Sequence, residues 1–263
     1  MNLTSIFIQI KKQFPVLHYF SMIHVVGFFI CLLAMLVDER QLMGVNVWLK
    51  PSKFMISTFI LLWTIGWYLI YFPFRTSQKK FIAIAISLLL SFENILISFQ
   101  AWRGVQSHYN VSSPLNGMIF GAMGIAVAMI TLLMFWFLIQ SFSSKLNFSW
   151  SMKWGVRIAW ITFLFGTALG GKAMLAQNAH AVGVVDGGEG LPFLNWSTEG
   201  GDYRIAHFLG LHAIQIIPIV IFFIRKKLTN HNLSIILGIS FALIYMAWVI
   251  QCYFQAKNGI PML

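Results

Sequence analysis

Acidic and basic side chains gather at one end of an apolar helix. Residues 193–215, FLNWSTEGGDYRIAHFLGLHAIQ, hold two acids, one arginine and two histidines, and the chain then continues as IIPIVIFFI. Such side chains can exchange protons, bind anions or coordinate a metal ion. Four of the polar residues share one arc of a helix: Arg204, His207, His212 and Gln215. The arc predicts a site that faces other helices or a water-filled cavity, because exposure to lipid would be costly.

Glu93 is the only acid inside a long apolar run. A carboxylate in a membrane span costs about 2.5–3.5 kcal/mol on insertion scales, so it needs a partner, a proton or a function. Counted along their helices, Glu93 and His212 lie at similar depths, and we predict that they meet. Gln100 shares a helical face with Glu93, and Asn94 and Gln215 should lie nearby. An interhelical hydrogen bond with no further function is the alternative.

These positions define three sets of candidate site residues. The catalytic candidates are Glu93, His212 and His207. The substrate-binding candidates are Gln100, Arg103, His108, Gln215, Lys53 and Arg204. The candidate metal ligands are His108, His180, His207, His212 and Glu93. Imidazole and carboxylate groups suit zinc, iron or manganese, so a transition metal or haem is one expected cofactor. Against this, His207 and His212 lack the same-face spacing of H-E-x-x-H.

Basic residues near the same predicted face have two interpretations, contact with lipid phosphates or a site for an anionic substrate. The segment WLKPSKF, residues 48–54, should open a helix with Pro51 in its first turn. Lys50 and Lys53 then either extend to lipid phosphates or form a basic site at the helix N-terminus. Arg103 and His108 belong to the same predicted face, and Lys172 can join them.

The composition predicts a membrane protein. Of 263 residues, 59% are hydrophobic and only 10% are charged, whereas soluble domains carry about 25% charged residues. Seven apolar runs are long enough to cross a bilayer: residues 20–37, 54–72, 81–101, 118–140, 152–175, 205–224 and 233–254. Backbone groups in lipid must bond within their own segment, so the runs should be helices. We therefore predict an all-α, polytopic transmembrane helical bundle that forms a single membrane domain, 1–263.

The distribution of charge predicts an orientation and a partner. Lys and Arg are more frequent on one side, which favours the N-terminus inside and the C-terminus outside. The formal charge of +11 is explained by cations at helix ends that face anionic lipid, so the lipid bilayer is the expected partner and nucleic acid is not. We expect a multi-pass protein of a bacterial inner membrane. A small-molecule or lipid substrate and a homo-oligomer are left open.

The two segments outside the spans have distinct expected roles. Residues 1–14 place Ile6, Phe7 and Ile10 on one face, which predicts a short amphipathic helix on the membrane surface. Residues 177–202 form the longest connection, rich in glycine and acids, on the predicted outer side. This outer loop is either a lid over the site or a solvated connection.

A short sequence repeat predicts that the spans form an internal repeat. FQAWRG at 99–104 recurs as FQAKNG at 254–259, and basic links join spans two and three and spans six and seven. Two repeats of three spans each, joined by a single span, would suit a transporter. Close helix packing is also predicted at Gly117-x-x-x-Gly121 and Gly166-x-x-x-Gly170.

The segments WLKPSKF, RGVQSHYNVSSP and DGGEGLPFLNWSTEGGDYRIAHFLGLHAIQ give the chain a resemblance to an uncharacterised group of bacterial polytopic membrane proteins. The resemblance spans most of the chain and implies no activity and no site residues. Three functional hypotheses therefore stand. The first is a membrane enzyme or redox protein with a His/Glu site at the outer face, dependent on a metal or haem. The second is a small-solute or proton-coupled transporter, whose inner half-pathway would use His24, Ser21 and Arg157. The third is a structural or assembly protein.

Overall fold

The computed structural model describes residues 3–262 and confirms an all-α membrane protein. Within that range, seven helical segments are long and apolar enough to cross a membrane. The helices are α1 (Leu3–Gln13), α2 (Pro15–Val37), α3 (Leu49–Tyr71), α4 (Thr76–Trp102), α5 (Pro114–Ser141), α6 (Trp150–Phe165), α7 (Gly171–Gln177), α8 (Tyr203–Lys227) and α9 (His231–Lys257). A π-helical segment, Gly166–Gly170, joins α6 to α7 into a single span, Trp150–Gln177. The chain is a multi-pass integral membrane protein.

Side chains form hydrogen bonds at the starts of two helices, α8 and α4. At the start of α8, the Asp202 side chain accepts a hydrogen bond from Arg204 N at 2.9 Å and thereby caps the helix. At the start of α4, the Gln78 side chain accepts from Arg75 N at 2.8 Å. Helix α3 begins at Leu49, with Pro51 in its first turn as predicted.

The first compact unit contains residues 3–133, with α1 to α4 and most of α5. Helices α2, α3 and α4 pack on one another, and α1 lies across α2 and α3. Ile10 is fully buried beside Gly66, where an added Cβ would lie 3.0 Å from Ile10 Cγ2. The apolar face predicted for residues 1–14 therefore contacts protein, and its placement on a membrane surface stays a prediction. Met1, Asn2 and the side chain of Leu3 lie outside the described part.

The second compact unit contains residues 134–262, in which α6, α8 and α9 pack together. Helix α8 packs closely against the span Trp150–Gln177. The two backbones meet at Gly166 and Gly210, where a Cβ on Gly166 would lie 2.7 Å from Gly210 Cα. This confirms close packing at the second glycine motif. The first motif is different, because a Cβ on Gly117 or Gly121 would meet no described atom within 4 Å. The prediction of close packing at Gly117 and Gly121 is therefore wrong for residues 3–262.

The two units share a local plan. Each has a span, a loop with a two-stranded antiparallel pair, a span, a basic link and a third span. The strands are β1 (Gln41–Leu42) and β2 (Val45–Asn46) in the first loop, and β3 (Ala181–Val182) and β4 (Gly201–Asp202) in the second. The boundary between the units, after Leu133, falls inside α5, the fourth span.

The repeated hexapeptide forms the same helix end in both units. Gly104 and Gly259 each have φ +70°, a left-handed conformation that a side chain would strain. Val105 N donates to Gln100 O at 3.0 Å, and Ile260 N donates to Gln255 O at 3.1 Å. These are the bonds of a Schellman motif, so the sequence repeat corresponds to a structural one.

The two loops that contain the paired strands are held by half-buried carboxylates. In the first, Asp38 accepts hydrogen bonds from Arg40 and from Trp48 Nε1 at 2.8 Å. The Arg40 side chain is the main reason why the pKa of Asp38 is well below its usual range. In the second, Asp186 accepts from the backbone of His180 and Ala181. Both loops are thus ordered by local contacts of their own, and the lid role of residues 177–202 stays a prediction.

Candidate functional site

A polar cluster lies at one end of α3 and α4 in the first unit. We call it the His108 cluster, and its members are Lys50, Glu93, Gln100, Arg103, Ser107, His108 and Asn116. Helix α3 supplies Lys50 from its first turn, α4 supplies Glu93 and Gln100, and the start of α5 supplies Asn116. The other three belong to the loop of residues 103–113. Glycine at position 104 turns the chain, which brings the loop back over the end of α4.

His108 lies between groups of opposite charge. Its Nδ1 is 3.3 Å from Lys50 Nζ and 3.0 Å from Ser107 Oγ, and its Nε2 is 3.8 Å from Glu93 Oε1. The Lys50 ammonium can only donate, so a neutral His108 would accept at Nδ1 and carry its proton on Nε2, toward Glu93. The three side chains form a row along which a proton can move between a buried carboxylate and the loop.

The row is shielded from water. The Glu93 side chain is 8% exposed and that of His108 is 19% exposed. Aromatic rings surround the imidazole, with the Phe54 centroid at 5.9 Å and the Phe120 centroid at 6.1 Å. Charges in such surroundings interact more strongly than charges in water. The electrostatic state of the cluster should therefore respond strongly to one added proton or one bound anion.

Arg103 and Asn116 close the other side of the cluster. Arg103 Nη1 donates to Gln100 Oε1 at 2.6 Å and to Asn116 Oδ1 at 2.7 Å. Gln100 is fully buried, and its Nε2 lies 3.2 Å from the same Asn116 oxygen. The guanidinium is thus held by neutral amides, with no carboxylate among its described partners, so no adjacent negative charge offsets its positive charge. It is a fixed cation beside the row.

The predicted site residues divide between the two units. Four substrate or catalytic candidates, Glu93, Gln100, Arg103 and His108, come together in the first unit. Lys53 lies one helical turn from Lys50 on α3. The candidates on α8 belong to the second unit, so the predicted meeting of Glu93 with His212 stays a prediction.

The second-unit candidates make local contacts. His207 Nδ1 is 3.0 Å from the carbonyl oxygen of Gly166, in the π-helical segment. His212 pairs with Gln215 through their side chains and stacks on Phe208 with centroids 4.2 Å apart. The carboxylate of Asp202 binds Arg204 at 2.6 Å. These contacts join helices and cap α8, which are structural roles.

His180 is bound by the outer loop itself. Its Nδ1 lies 2.7 Å from Asp186 Oδ2. Burial alone would raise the pKa of Asp186, but hydrogen bonds from the ring of His180 and from two backbone amides outweigh it and lower the pKa to about 2. The ionised carboxylate therefore holds the first turn of the loop.

The structure gives no support to the predicted metal site. Among residues 3–262, no three His, Cys, Asp or Glu side chains come together as a group that could hold a metal ion. Glu93 and His108 are neighbours, but the five proposed ligands do not form one described cluster. Binding of a metal or haem remains a prediction without a structural basis.

The residues proposed for an inner half-pathway also make local contacts. Ser21 Oγ accepts from Trp63 Nε1 at 2.8 Å, and His24 Nδ1 is 2.7 Å from the carbonyl oxygen of Phe20. Arg157 Nε donates to Ser141 O at 3.2 Å. These contacts satisfy groups within or between helices, so they identify no path.

Sequence reasoning missed two members of the cluster, Ser107 and Asn116. It named Lys50 only together with Lys53, as a basic pair at a helix N-terminus, and did not predict the contact of Lys50 with His108. Ser107 and Asn116 carried no signal, because each stands in a run of small polar residues that is typical of a loop. Asn116, two residues after Pro114, could have been noted as a polar residue in the first turn of α5.

No family model, no curated protein and no solved structure matches the chain. The geometry of its own residues is therefore the basis for any assignment of function.

Proposed function

We propose that the protein is a proton-coupled transporter of a small anionic solute, with the His108 cluster as its binding site. The observation that carries the proposal is the row Lys50–His108–Glu93, in which an imidazole separates an ammonium from a buried carboxylate. Lys50, Arg103 and a protonated His108 would attract an anion, and planar guanidinium suits a carboxylate or phosphate. The solute is expected to be small, since the cluster is enclosed by aromatic rings.

Coupling follows from the charges of the row. With Glu93 ionised, an anion near His108 faces a like charge at short range, and the two repel. A proton taken up by Glu93 or His108 raises the charge of the cluster by one and favours the anion. Since linkage is reciprocal, the bound anion in turn favours uptake of the proton. The solute and the proton should therefore bind together.

A polar face on α4 supports movement of a solute or water along the helix. Three hydroxyl groups on this face, at Ser87, Ser91 and Ser98, are buried and have no hydrogen-bond partner among residues 3–262. Asn94 lies on the same face, and its Nδ2 donates to Thr58 Oγ1 at 2.8 Å. Ser87 and Ser98 are separated by about 16 Å at 1.5 Å per residue. Unpaired hydroxyls in a span are costly unless water or a solute reaches them.

The repeated plan of the two units also favours transport. Internal structural repeats are common in secondary transporters. Here the similarity includes the paired strands between spans and the Schellman end of the last span in each unit. Only the first unit carries a buried acid on that last span, because the position 155 residues after Glu93 is Trp248. The proposed binding chemistry is thus confined to one unit.

Anion binding to the purified protein tests this proposal. The unfolding temperature in detergent would be measured with chloride, phosphate, acetate and succinate at mildly acidic and mildly alkaline pH. At least one anion should stabilise the wild-type protein, and more strongly at the acidic pH. Lys50→Gln and His108→Gln should weaken binding about tenfold or more, since each removes a charged hydrogen-bonding group.

Two controls make the test specific. Lys80→Gln removes an exposed cation of α4 outside the cluster and should leave anion binding unchanged. His231→Gln does the same for an exposed histidine at the start of α9. Equal stabilisation of Lys50→Gln and the wild type by every anion would refute the binding site.

A membrane hydrolase is the second candidate, favoured by one observation. Ser107 Oγ lies 3.0 Å from His108 Nδ1, and Glu93 faces the other ring nitrogen. A serine, a histidine and an acid in this order can activate a hydroxyl nucleophile. A fluorophosphonate probe distinguishes the candidates. Labelling of the wild type that is lost in Ser107→Ala and His108→Gln would establish the hydrolase, whereas no labelling would leave the transporter as the better account.

A further inference from the structure

A cleft lies in the second unit and shares no residue with the His108 cluster. Its volume is about 420 Å³, which is within the range of small-ligand sites. We call it the Lys172 cleft, and its lining residues are Leu169, Lys172, Ala173, Ala176, Gln177, Tyr203 and Tyr253. The π-helical segment and α7 provide one wall, where residues 169, 172, 173 and 176 share a face. Tyr203 of α8 and Tyr253 of α9 provide the other.

The lining combines one cation with apolar surface. Lys172 is exposed, and no acid lines the cleft. The nearest acid in sequence to the tyrosines is Asp202, whose carboxylate is bound by Arg204 and by Ser197 N. The rings of Tyr203 and Tyr253 lie 5.5 Å apart and line the same cleft as Lys172. Gln177 donates its Nε2 to the carbonyl oxygens of Ala179 and Ala181, so its side-chain oxygen is fixed in place.

The cleft lies at the level of the membrane interface. Gln177 ends the fifth span, Tyr203 begins the sixth, and Tyr253 lies four residues before the end of the seventh. At 1.5 Å per residue, Tyr253 is within about 6 Å of the end of its helix. Tyrosine and lysine at this level contact lipid headgroups, whose phosphates lie where spans end.

We infer that the Lys172 cleft binds a glycerophospholipid with a net negative headgroup. Lys172 binds the headgroup phosphate, the two phenols donate hydrogen bonds to headgroup oxygens, and Leu169, Ala173 and Ala176 contact the acyl chains. A soluble anion would gain only the charge interaction, whereas a phospholipid also buries apolar surface and fits the depth of the cleft. The inference does not depend on the anion site of the first unit.

Native mass spectrometry tests the inference. The protein would be reconstituted in an equimolar mixture of phosphatidylcholine and phosphatidylglycerol, released from the bilayer, and examined for retained lipid. The wild type should retain phosphatidylglycerol in preference to phosphatidylcholine. Lys172→Gln should lower that retention about fivefold, the effect expected for one lysine near an anionic headgroup. Lys172→Arg should preserve it.

Two further variants define the outcomes. Lys257→Gln removes a cation from the end of α9 outside the cleft and should retain as much phosphatidylglycerol as the wild type. Ala173→Trp fills the cleft without changing charge and should lower retention. Equal losses in Lys172→Gln and Lys257→Gln would show non-specific attraction and overturn the inference. So would full displacement of the lipid by glycerophosphate, which would indicate a site for a free anion.

Discussion

The imidazole Nε2 of His108 lies 3.8 Å from Glu93 Oε1, although one residue is in a loop and the other is inside a membrane span. Lys50 approaches the opposite ring nitrogen at 3.3 Å. A buried carboxylate therefore has a titratable neighbour and a fixed cation within the same unit.

Glu93→Gln should separate anion binding from proton binding. The amide has the shape of a protonated carboxyl and carries no charge, so the repulsion between Glu93 and a bound anion is removed. We expect the variant to bind the anion at least as tightly as the wild type at alkaline pH, with a smaller change between pH values. Isothermal titration at several pH values measures this. A pH dependence equal to that of the wild type would show that Glu93 does not carry the proton.

His207 should stabilise the fold and take no part in anion binding. Its ring holds the carbonyl oxygen of Gly166 at 3.0 Å, and loss of a buried hydrogen bond costs about 1–3 kcal/mol. His207→Leu should lower the unfolding temperature, and His207→Gln, which can still donate, should lower it less. Anion binding by His207→Gln should equal that of the wild type. A loss of binding in a stable His207→Gln variant would return this histidine to the functional site.

Two glycine substitutions should have opposite effects on stability. Gly166→Ala places a Cβ 2.7 Å from Gly210 Cα, and such overpacking costs about 1–3 kcal/mol. Gly121→Ala meets no described atom within 4 Å, so the better helix propensity of alanine should add about 0.5–1 kcal/mol. Thermal unfolding in one detergent compares the two. Equal destabilisation would mean that the face of α5 at Gly121 is packed.

The outer loop should loosen in strong acid. The pKa of Asp186 is lowered to about 2 by its hydrogen bonds in the folded loop, so the ionised form stabilises the fold. That contribution is complete above the ordinary carboxyl pKa of about 4 and is lost as the pH falls toward about 2. Limited proteolysis of residues 178–202 by pepsin should accelerate over this interval.

Asp186→Asn provides the control for the loop. The variant lacks the charge at every pH, so its loop should be cleaved faster than the wild type at mildly acidic pH, where Asp186 is ionised. The difference between the proteins should shrink as the pH falls through about 2, because Asp186 of the folded wild type takes up its proton there. A constant difference would assign the pH effect to another group.

The fold was more predictable than the site for a physical reason. Apolar runs force helices in a bilayer, so seven spans followed from composition alone. Glu93 and Gln100 were placed on one face by helical spacing, and both are buried members of the cluster. The partner of Glu93 could not be derived from helix depth, because His108 reaches it from a loop. The path of that loop depends on Gly104 and on the positive φ of Tyr109, which spacing does not reveal.

The chemical type of a side chain was not enough to predict what the histidines bind. His180 and His207 were grouped as ligands because of their chemistry and their predicted side of the membrane. In the folded chain, His180 binds Asp186, and His207 binds a carbonyl oxygen that the π-helical segment presents. Neither contact is encoded by a local pattern, since Asp186 lies six residues from His180 and Gly166 belongs to another span than His207.

Proton movement in sealed vesicles tests the central claim most directly. The purified protein would be reconstituted in vesicles that enclose a pH-sensitive dye. An inward gradient of the anion that best stabilises the protein would then be applied. The account predicts anion-dependent acidification of the interior by the wild type, no acidification by Glu93→Gln, and continued exchange of labelled anion by that variant. Anion uptake by the wild type without a change of internal pH, or equal acidification by Glu93→Gln, would contradict it.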